Sequence, residues 1–224
     1  MKKIVIGLSG GMDSATLLGL LLEQGYEVHC CIFYYGSKHN KYENEAAQLI
    51  IDHYSKKLNK PVYGYLIDIS GVMTTFKSNL LLSGGDIPEG HYAGENMKKT
   101  VVPSRNLIFA SIMAGLAESI NAQYVALGIH SGDHFIYPDC RIDFAKALDT
   151  VIFLSSDNKV EVIAPLQRDD KYTILQKGLQ IQVPYHLTRT CYKDQLLSCG
   201  KCGSCNERLE AFQKLGQKDP IKYE

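Results

Sequence analysis

KIVIGLSGGMDSATLLGLLLEQG, residues 3–25, is the stretch that decides the fold. Ile4, Val5 and Ile6 form the β-branched apolar run of a strand covered on both faces, whereas Leu17, Leu18, Leu21 and Leu22 recur at helical spacing. Between them lies Ser9-Gly10-Gly11-Met12-Asp13-Ser14. Two consecutive glycines let the backbone turn sharply and present bare N–H groups, and the following helix adds its positive N-terminal end. Ser9 and Ser14 contribute hydroxyls. The segment reads as a strand, an anion-binding loop and a helix.

What the loop lacks narrows its use. There is no Gly-Lys-Ser/Thr ending to put a lysine on the outer phosphates of a nucleotide, and no G-x-G-x-x-G dinucleotide fingerprint. SGGMDS resembles instead the S-G-G-x-D-S loop of the PP-loop pyrophosphatases. That resemblance implies a loop that grips the pyrophosphate end of ATP and leaves the α-phosphate open to attack by a substrate oxygen. The plain alternative is a glycine-rich turn with no ligand.

Outward from this stretch, strand and helix patterns alternate, which is the signature of a parallel sheet with helices on both faces. A second strand is expected over residues 27–35, then a helix striped by Ala47, Ile50, Ile51, Tyr54 and Leu58 and stopped by Pro61. Residues 62–68 read as the third strand and residues 72–82 as a helix. SGGDIPEGHYAGENMKKT, residues 83–100, is too long for an ordinary connector and reads as a lid or substrate loop, or else as disorder. Pro103 opens a helix with Ile108, Ile112, Leu116 and Ile120 on one side, followed by a fourth strand over residues 123–129 and a fifth over 160–163. Stacking strands two and three on one side of the first and four and five on the other gives the order 3-2-1-4-5. Ligands of open α/β sheets bind at the carboxyl ends of the strands where the order reverses. The glycine loop and the segment after strand four should therefore face one cleft.

That second segment, GIHSGDHFIYPDCRIDF, concentrates Asp133, Tyr137, Asp139, Cys140, Arg141 and Asp143. A carboxylate can accept two hydrogen bonds from a purine edge, and a guanidinium can clamp a carboxylate or phosphate. A hydrogen-bonded turn with Pro138 and Asp139 capping a helix is the competing account. Arg105, in the first turn of its helix, is unfavourable for the dipole unless an anion lies opposite. Its neighbour Asn106 shares that position. Lys171, at another helix start, is a second candidate for reaching a nucleotide.

The tail carries another motif. Cys191 precedes Cys199, Cys202 and Cys205, so two C-x-x-C steps share their middle cysteine. Four thiolates with no open position describe a structural tetrahedral zinc, and an iron–sulfur cluster remains compatible with the spacing. Cys30 and Cys31 sit on the second strand and read as buried small residues. We expect a nucleotide-binding α/β domain over residues 1–185 and a four-cysteine zinc lobe over residues 186–224. Lysine plus arginine and aspartate plus glutamate number 24 each, which leaves no basic field for a nucleic-acid backbone and favours a small-molecule substrate. The apolar run before the glycines is too short for a signal peptide or a membrane span, so a cytoplasmic protein is expected.

Taken together, SGGMDS, VPSRN, G-x-x-x-x-D followed by YPDCR, and the terminal TRTCY…CGKCGSCNERLEAF resemble the 7-cyano-7-deazaguanine synthase family of queuosine biosynthesis over nearly the whole chain. Two positions depart from its pattern, Ser104 where the family usually has glycine and Thr190-Cys191-Tyr192 where it has Ser-Cys-Tyr. The resemblance implies a ligase that uses ATP and Mg²⁺ to convert 7-carboxy-7-deazaguanine and ammonia into a nitrile through an adenylated carboxylate and an amide. It implies ATP binding by Leu8, Ser9, Gly10, Gly11, Met12, Asp13, Ser14, Ala15, Thr16, Leu17 and Leu18. It also implies catalytic roles for Asp13, Arg105, Arg141 and Lys171, and substrate contacts from Arg105, Asn106, Asp133, Tyr137, Asp139 and Asp143. Zinc on Cys191, Cys199, Cys202 and Cys205 and a homodimer complete the expectation. The rivals are a tRNA-modifying PP-loop enzyme and a deazaguanine enzyme serving DNA modification.

Overall fold

In the computed structural model, which describes residues 1–92, 94–132 and 136–224, the opening stretch becomes β1 (Lys3–Gly7), a tight loop and α1 (Met12–Glu23). There follow β2 (Glu27–Tyr34), α2 (Asn40–Leu58), β3 (Tyr63–Asp68), a single turn α3 (Ser70–Met73), α4 (Arg105–Ser119) and β4 (Tyr124–Ala126). The chain continues through α5 (Ile142–Ser155), β5 (Glu161–Ile163), α6 (Lys171–Gln180) and α7 (Gly203–Lys214). All strand pairs are parallel, in the order β3-β2-β1-β4-β5 that the alternation predicts.

The two-residue period of β1 divides the interior. Ile4 and Ile6 join α1, α2, α6 and α7 in one core, while Val5 joins α4 and α5 in the other. Cys30 and Cys31 are buried on opposite faces of β2, as read from the sequence.

Three expectations need correction. Residues 72–82 do not form a helix, because the segment beyond Met73 spends its backbone on the loop after β2: Lys38 N–H donates to Leu80 O and Leu82 N–H to Gly36 O. Leu80 and Leu81 are buried by that docking rather than by a helical face. On α4 the stripe Ile108, Ile112, Leu116, Ile120 is only half-buried, and the buried line is Ala110, Met113 and Ala117. A helix that is apolar all round does not reveal its inner face by spacing, and here small side chains allow close approach to the sheet. The fourth strand keeps its ladder for three residues only, after which the chain turns out toward the cleft.

Residues 83–100, apart from the undescribed Ala93, are irregular but tied down. Lys193 Nζ lies 2.6 Å from Glu89, Asn206 Nδ2 donates to Gly90 O, and Glu95–Thr100 forms a 3₁₀ turn with Met97 and Thr100 buried. Among the described residues no helix is long and apolar enough to cross a membrane.

Candidate active site

The glycine loop sits where the sheet order reverses, between β1 and its neighbours β2 and β4. Its two glycines answer to different demands. Gly10 has φ +74°, and a Cβ there would come within 2.7 Å of Glu43 O and 2.8 Å of Ala47 N, so the loop lies directly on α2. Gly11 caps α1 in extended conformation with no side-chain hydrogen bond, leaving the helix N-terminus open to an anion. The serines brace the turn: Ser9 Oγ and Ser14 Oγ are 3.1 Å apart, and Gly11 N–H donates to Ser9 Oγ. The chain just before Cys191 closes over it, with Arg189 N–H donating to Gly10 O.

Asp13 stands at the start of α1 among polar and charged groups brought from three distant segments. Lys171 Nζ, at the start of α6, lies 2.8 and 2.7 Å from its two carboxylate oxygens. His130 Nε2, just past β4, is 3.6 Å away, and its Nδ1 accepts from Gly132 N–H, which leaves the ring proton on the side of Asp13. Glu207, on α7, places an oxygen 3.2 Å from Lys171 Nζ. Burial pushes the Asp13 carboxyl up, but Lys171 and then His130 more than offset it and hold the group well below the usual carboxylate range.

Across the cavity the wall is made by the N-terminal half of α4 and the ends of β2 and β4. Arg105 donates to Tyr35 Oη at 3.4 Å with its guanidinium over that ring, and Phe33 stacks on Phe109 at 3.9 Å between centroids. Burial pushes the Tyr35 hydroxyl up to about 12. Ser104, which precedes α4, has φ +53°, a left-handed backbone that glycine adopts without strain. That is a physical reason for a glycine preference at this position.

The four tail cysteines lie together, all buried, with their sulfurs within 4.8 Å of one another, and the set could hold a metal ion. Hydrogen bonds from Cys202 and Cys205, and backbone N–H groups of Cys199 and Lys193, hold the Cys191 thiol well below its usual range. α7 starts between two of these cysteines. Its Arg208 is fully buried, forms a two-pronged pair with Asp219 at 2.7 and 2.8 Å, and donates to Thr188 Oγ1 and Tyr185 O.

Of the residues read from the sequence, Leu8, Ser9, Gly11, Met12, Asp13, Ser14, Arg105, Asn106, Tyr137 and Lys171 line one cavity. Ala15, Thr16, Leu17 and Leu18 are buried in α1, where Thr16 Oγ1 meets Tyr185 Oη at 2.7 Å. Asp139 takes the capping account, on a different helix from the one nearest in sequence: its carboxylate accepts from Asn106 N–H of α4 at 2.9 Å. The half-buried Asp139 and the exposed Arg141 and Asp143 are not on the cavity wall, and Asp133 lies outside the described residues. Sequence reasoning missed His39, His130, Arg189, Tyr192 and Glu207, all of which the fold brings to the cavity or its Asp13 cluster. Arg189, Tyr192 and Glu207 carried a signal, since all three lie within the tail motif TRTCY…CGKCGSCNERLEAF, next to or within two positions of a cysteine.

The sheet order, the Gly10-Gly11 loop at its reversal point and the charged cleft define an α/β protein of the PP-loop ATPase type. Its architecture is similar to that of a 4-thiouridine synthetase solved in complex with RNA and bound ATP, with a TM-score of 0.57 at 19% identity over 96% of this chain and 51% of that one. It is also similar to the U34-tRNA thiolase NcsA from Methanococcus maripaludis, with a TM-score of 0.52 at 15% identity over 95% of this chain and 64% of that one. Within that class the chain belongs to the queuosine biosynthesis protein QueC family, whose model matches residues 3–216. It is 44% identical over the full length of both chains to the 7-cyano-7-deazaguanine synthase of Pseudoalteromonas atlantica. It is 45% identical to that of Caldicellulosiruptor saccharolyticus, covering 100% of this chain and 96% of the relative.

Proposed function

We propose that this protein is a ligase that makes 7-cyano-7-deazaguanine from 7-carboxy-7-deazaguanine, ammonia and ATP. The observation that carries the reading is the meeting of Asp13, Lys171 and the open α1 N-terminus in the cavity that Arg105 and Tyr137 also line, in a chain alike over its full length to proteins of that name. An ionised carboxylate does not react with ammonia until its oxygen becomes a leaving group. Adenylation releases pyrophosphate, ammonia displaces AMP to give the amide, and a second activation at the amide oxygen lets it depart as the nitrile forms.

In this reading the loop N–H groups receive the pyrophosphate, and Lys171 and Arg105 offset developing charge. Asn106 and Tyr137 meet the substrate, and Asp139 acts by orienting Asn106. A charge-offsetting role for Arg141 and substrate contacts from Asp133 and Asp143 are kept as what the family resemblance implies. Asp13 is an oxygen donor of the kind that holds Mg²⁺ together with nucleotide phosphates. The cysteine set fits Zn²⁺: the Cys199 and Cys205 sulfurs are 3.9 Å apart, close to the edge of a tetrahedron built on Zn–S bonds of about 2.3 Å. We retain the division into residues 1–185 and 186–224, a cytoplasmic setting and a homodimer. For the dimer, support comes from the exposed apolar side chains of Leu107, Val151 and Leu154 on α4 and α5. Light scattering showing a fully active monomer would reject that assembly.

Mass spectrometry of purified protein with ATP, ammonia and the carboxylated deazaguanine tests the chemistry. The nitrile should accumulate after a transient amide, and amide supplied with ATP should give nitrile without added ammonia. An amide neither detected nor converted would overturn the shared-site route, and no nitrile at all would overturn the function.

A further inference from the structure

Lys171 is buried, and its ammonium stands between two carboxylates of different origin. Asp13 comes from α1, and Glu207 from the first turns of α7, two positions after Cys205. This part of α7 faces three ways at once: Cys205 joins the sulfur cluster, Glu207 meets Lys171, and Arg208 meets Asp219. An ammonium has three donors and no acceptor, and a buried cation deprived of its counterion is strongly destabilising. Asp13 is the carboxylate a divalent cation would engage beside the nucleotide phosphates, and a cation there would repel Lys171. Without the Glu207 charge beside it, Lys171 would compete more strongly with that cation for the same oxygens.

We propose that Glu207 is a positioning residue for Lys171. It keeps the ammonium paired while Asp13 passes to the cation, so Lys171 can turn from Asp13 to a phosphate oxygen about a fixed anchor. The cysteine lobe thereby helps to set the phosphate site. This rests on the ATP-dependent reading above and adds a residue from outside the glycine loop to it.

Glu207→Gln keeps size and hydrogen-bonding capacity but removes the charge. Calorimetric titration with the non-hydrolysable α,β-methylene ATP, with and without Mg²⁺, gives the factor by which Mg²⁺ strengthens binding. That factor should fall roughly tenfold in E207Q, since Lys171 then holds Asp13 more firmly. Nucleotide binding without Mg²⁺ should be no weaker than in the unmodified protein, because a negative charge near the phosphates has gone. In a K171M background, where both members of the pair are neutral in the double variant, E207Q should leave the Mg²⁺ factor unchanged, because contacting residues that act as a unit are not additive. An unchanged factor in E207Q, or an equal drop in the K171M background, overturns the proposal. If E207Q does not fold, Glu207→Ala takes its place with the same two outcomes. Failure of the unmodified protein to bind the analogue would instead sink the ATP reading.

Discussion

At the scale of single residues, two titratable groups make opposite claims on pH. Asp13 is held below the ordinary carboxylate value of 3.8, so its contribution to stability is present above that value and drains away as pH falls beneath it. Asp13→Asn should flatten this acid limb in a pH series of melting temperatures and slow both the amide and nitrile steps by roughly a hundredfold or more. Tyr54 behaves the other way. Its ring is buried and its hydroxyl has no hydrogen-bond partner among the described residues, and burial pushes it from 10.0 up to about 12. The neutral form favours the folded chain, so that stability is complete below pH 10 and is lost as pH rises toward 12. Tyr54→Phe removes an unsatisfied buried hydroxyl and should raise stability at neutral pH by about 1 kcal/mol. The alkaline limb of its melting curve should shrink as well; a lower melting temperature at pH 7 would contradict the account.

At the scale of elements, the glycines of α4 and α6 separate helix propensity from packing. Nothing stands within 4 Å of a Cβ built on Gly115 in α4, whereas one on Gly178 in α6 would fall 1.8 Å from Tyr185 Oη. Tyr185 in turn bonds Thr16, whose hydroxyl donates to Met12 O at the start of α1. Gly115→Ala should therefore stabilise by roughly 0.5–1 kcal/mol, as expected of alanine in a helix interior. Gly178→Ala should cost about 1–3 kcal/mol by overpacking and should also raise the KM for ATP, because the displaced tyrosine braces the helix that carries the loop. Thermal melting of both variants beside ATP kinetics checks the pair, and equal effects from the two would refute the packing argument.

Across the whole molecule, the tail is fastened at two points. Arg208 and Asp219 are both buried and paired; Arg208 also donates to Thr188 Oγ1 and Tyr185 O, and Asp219 also accepts from Tyr223 Oη and Ile221 N–H. Arg208→Met removes the counterion of the buried Asp219 carboxylate, leaving it the Tyr223 hydroxyl and Ile221 N–H, and should cost about 3–5 kcal/mol, read as a lower denaturation midpoint. Cys202→Ser should lower metal content and melting temperature together, since a closed four-thiolate site adds its binding energy to folding. Iron with visible absorbance in anaerobically purified protein would reject zinc.

Whatever depends on short spacing was legible in the chain before it folded. The strand order followed from alternating patterns, the loop from six adjacent residues, and the metal set from cysteines a few positions apart, because period, turn chemistry and ligand spacing are local. The resemblance of its motifs pointed to the family. Which side chains are spent and which remain available emerged from the folded arrangement alone. Asp139, which the resemblance implies as a substrate contact, also accepts from the first turn of α4 at Asn106 N–H. Lys171 meets Asp13 across 158 positions of chain, and Glu207 and Arg208, adjacent in sequence, turn to different partners. A buried charge can be assigned only when its counterion is known, and here the counterions come from elements that no local pattern connects.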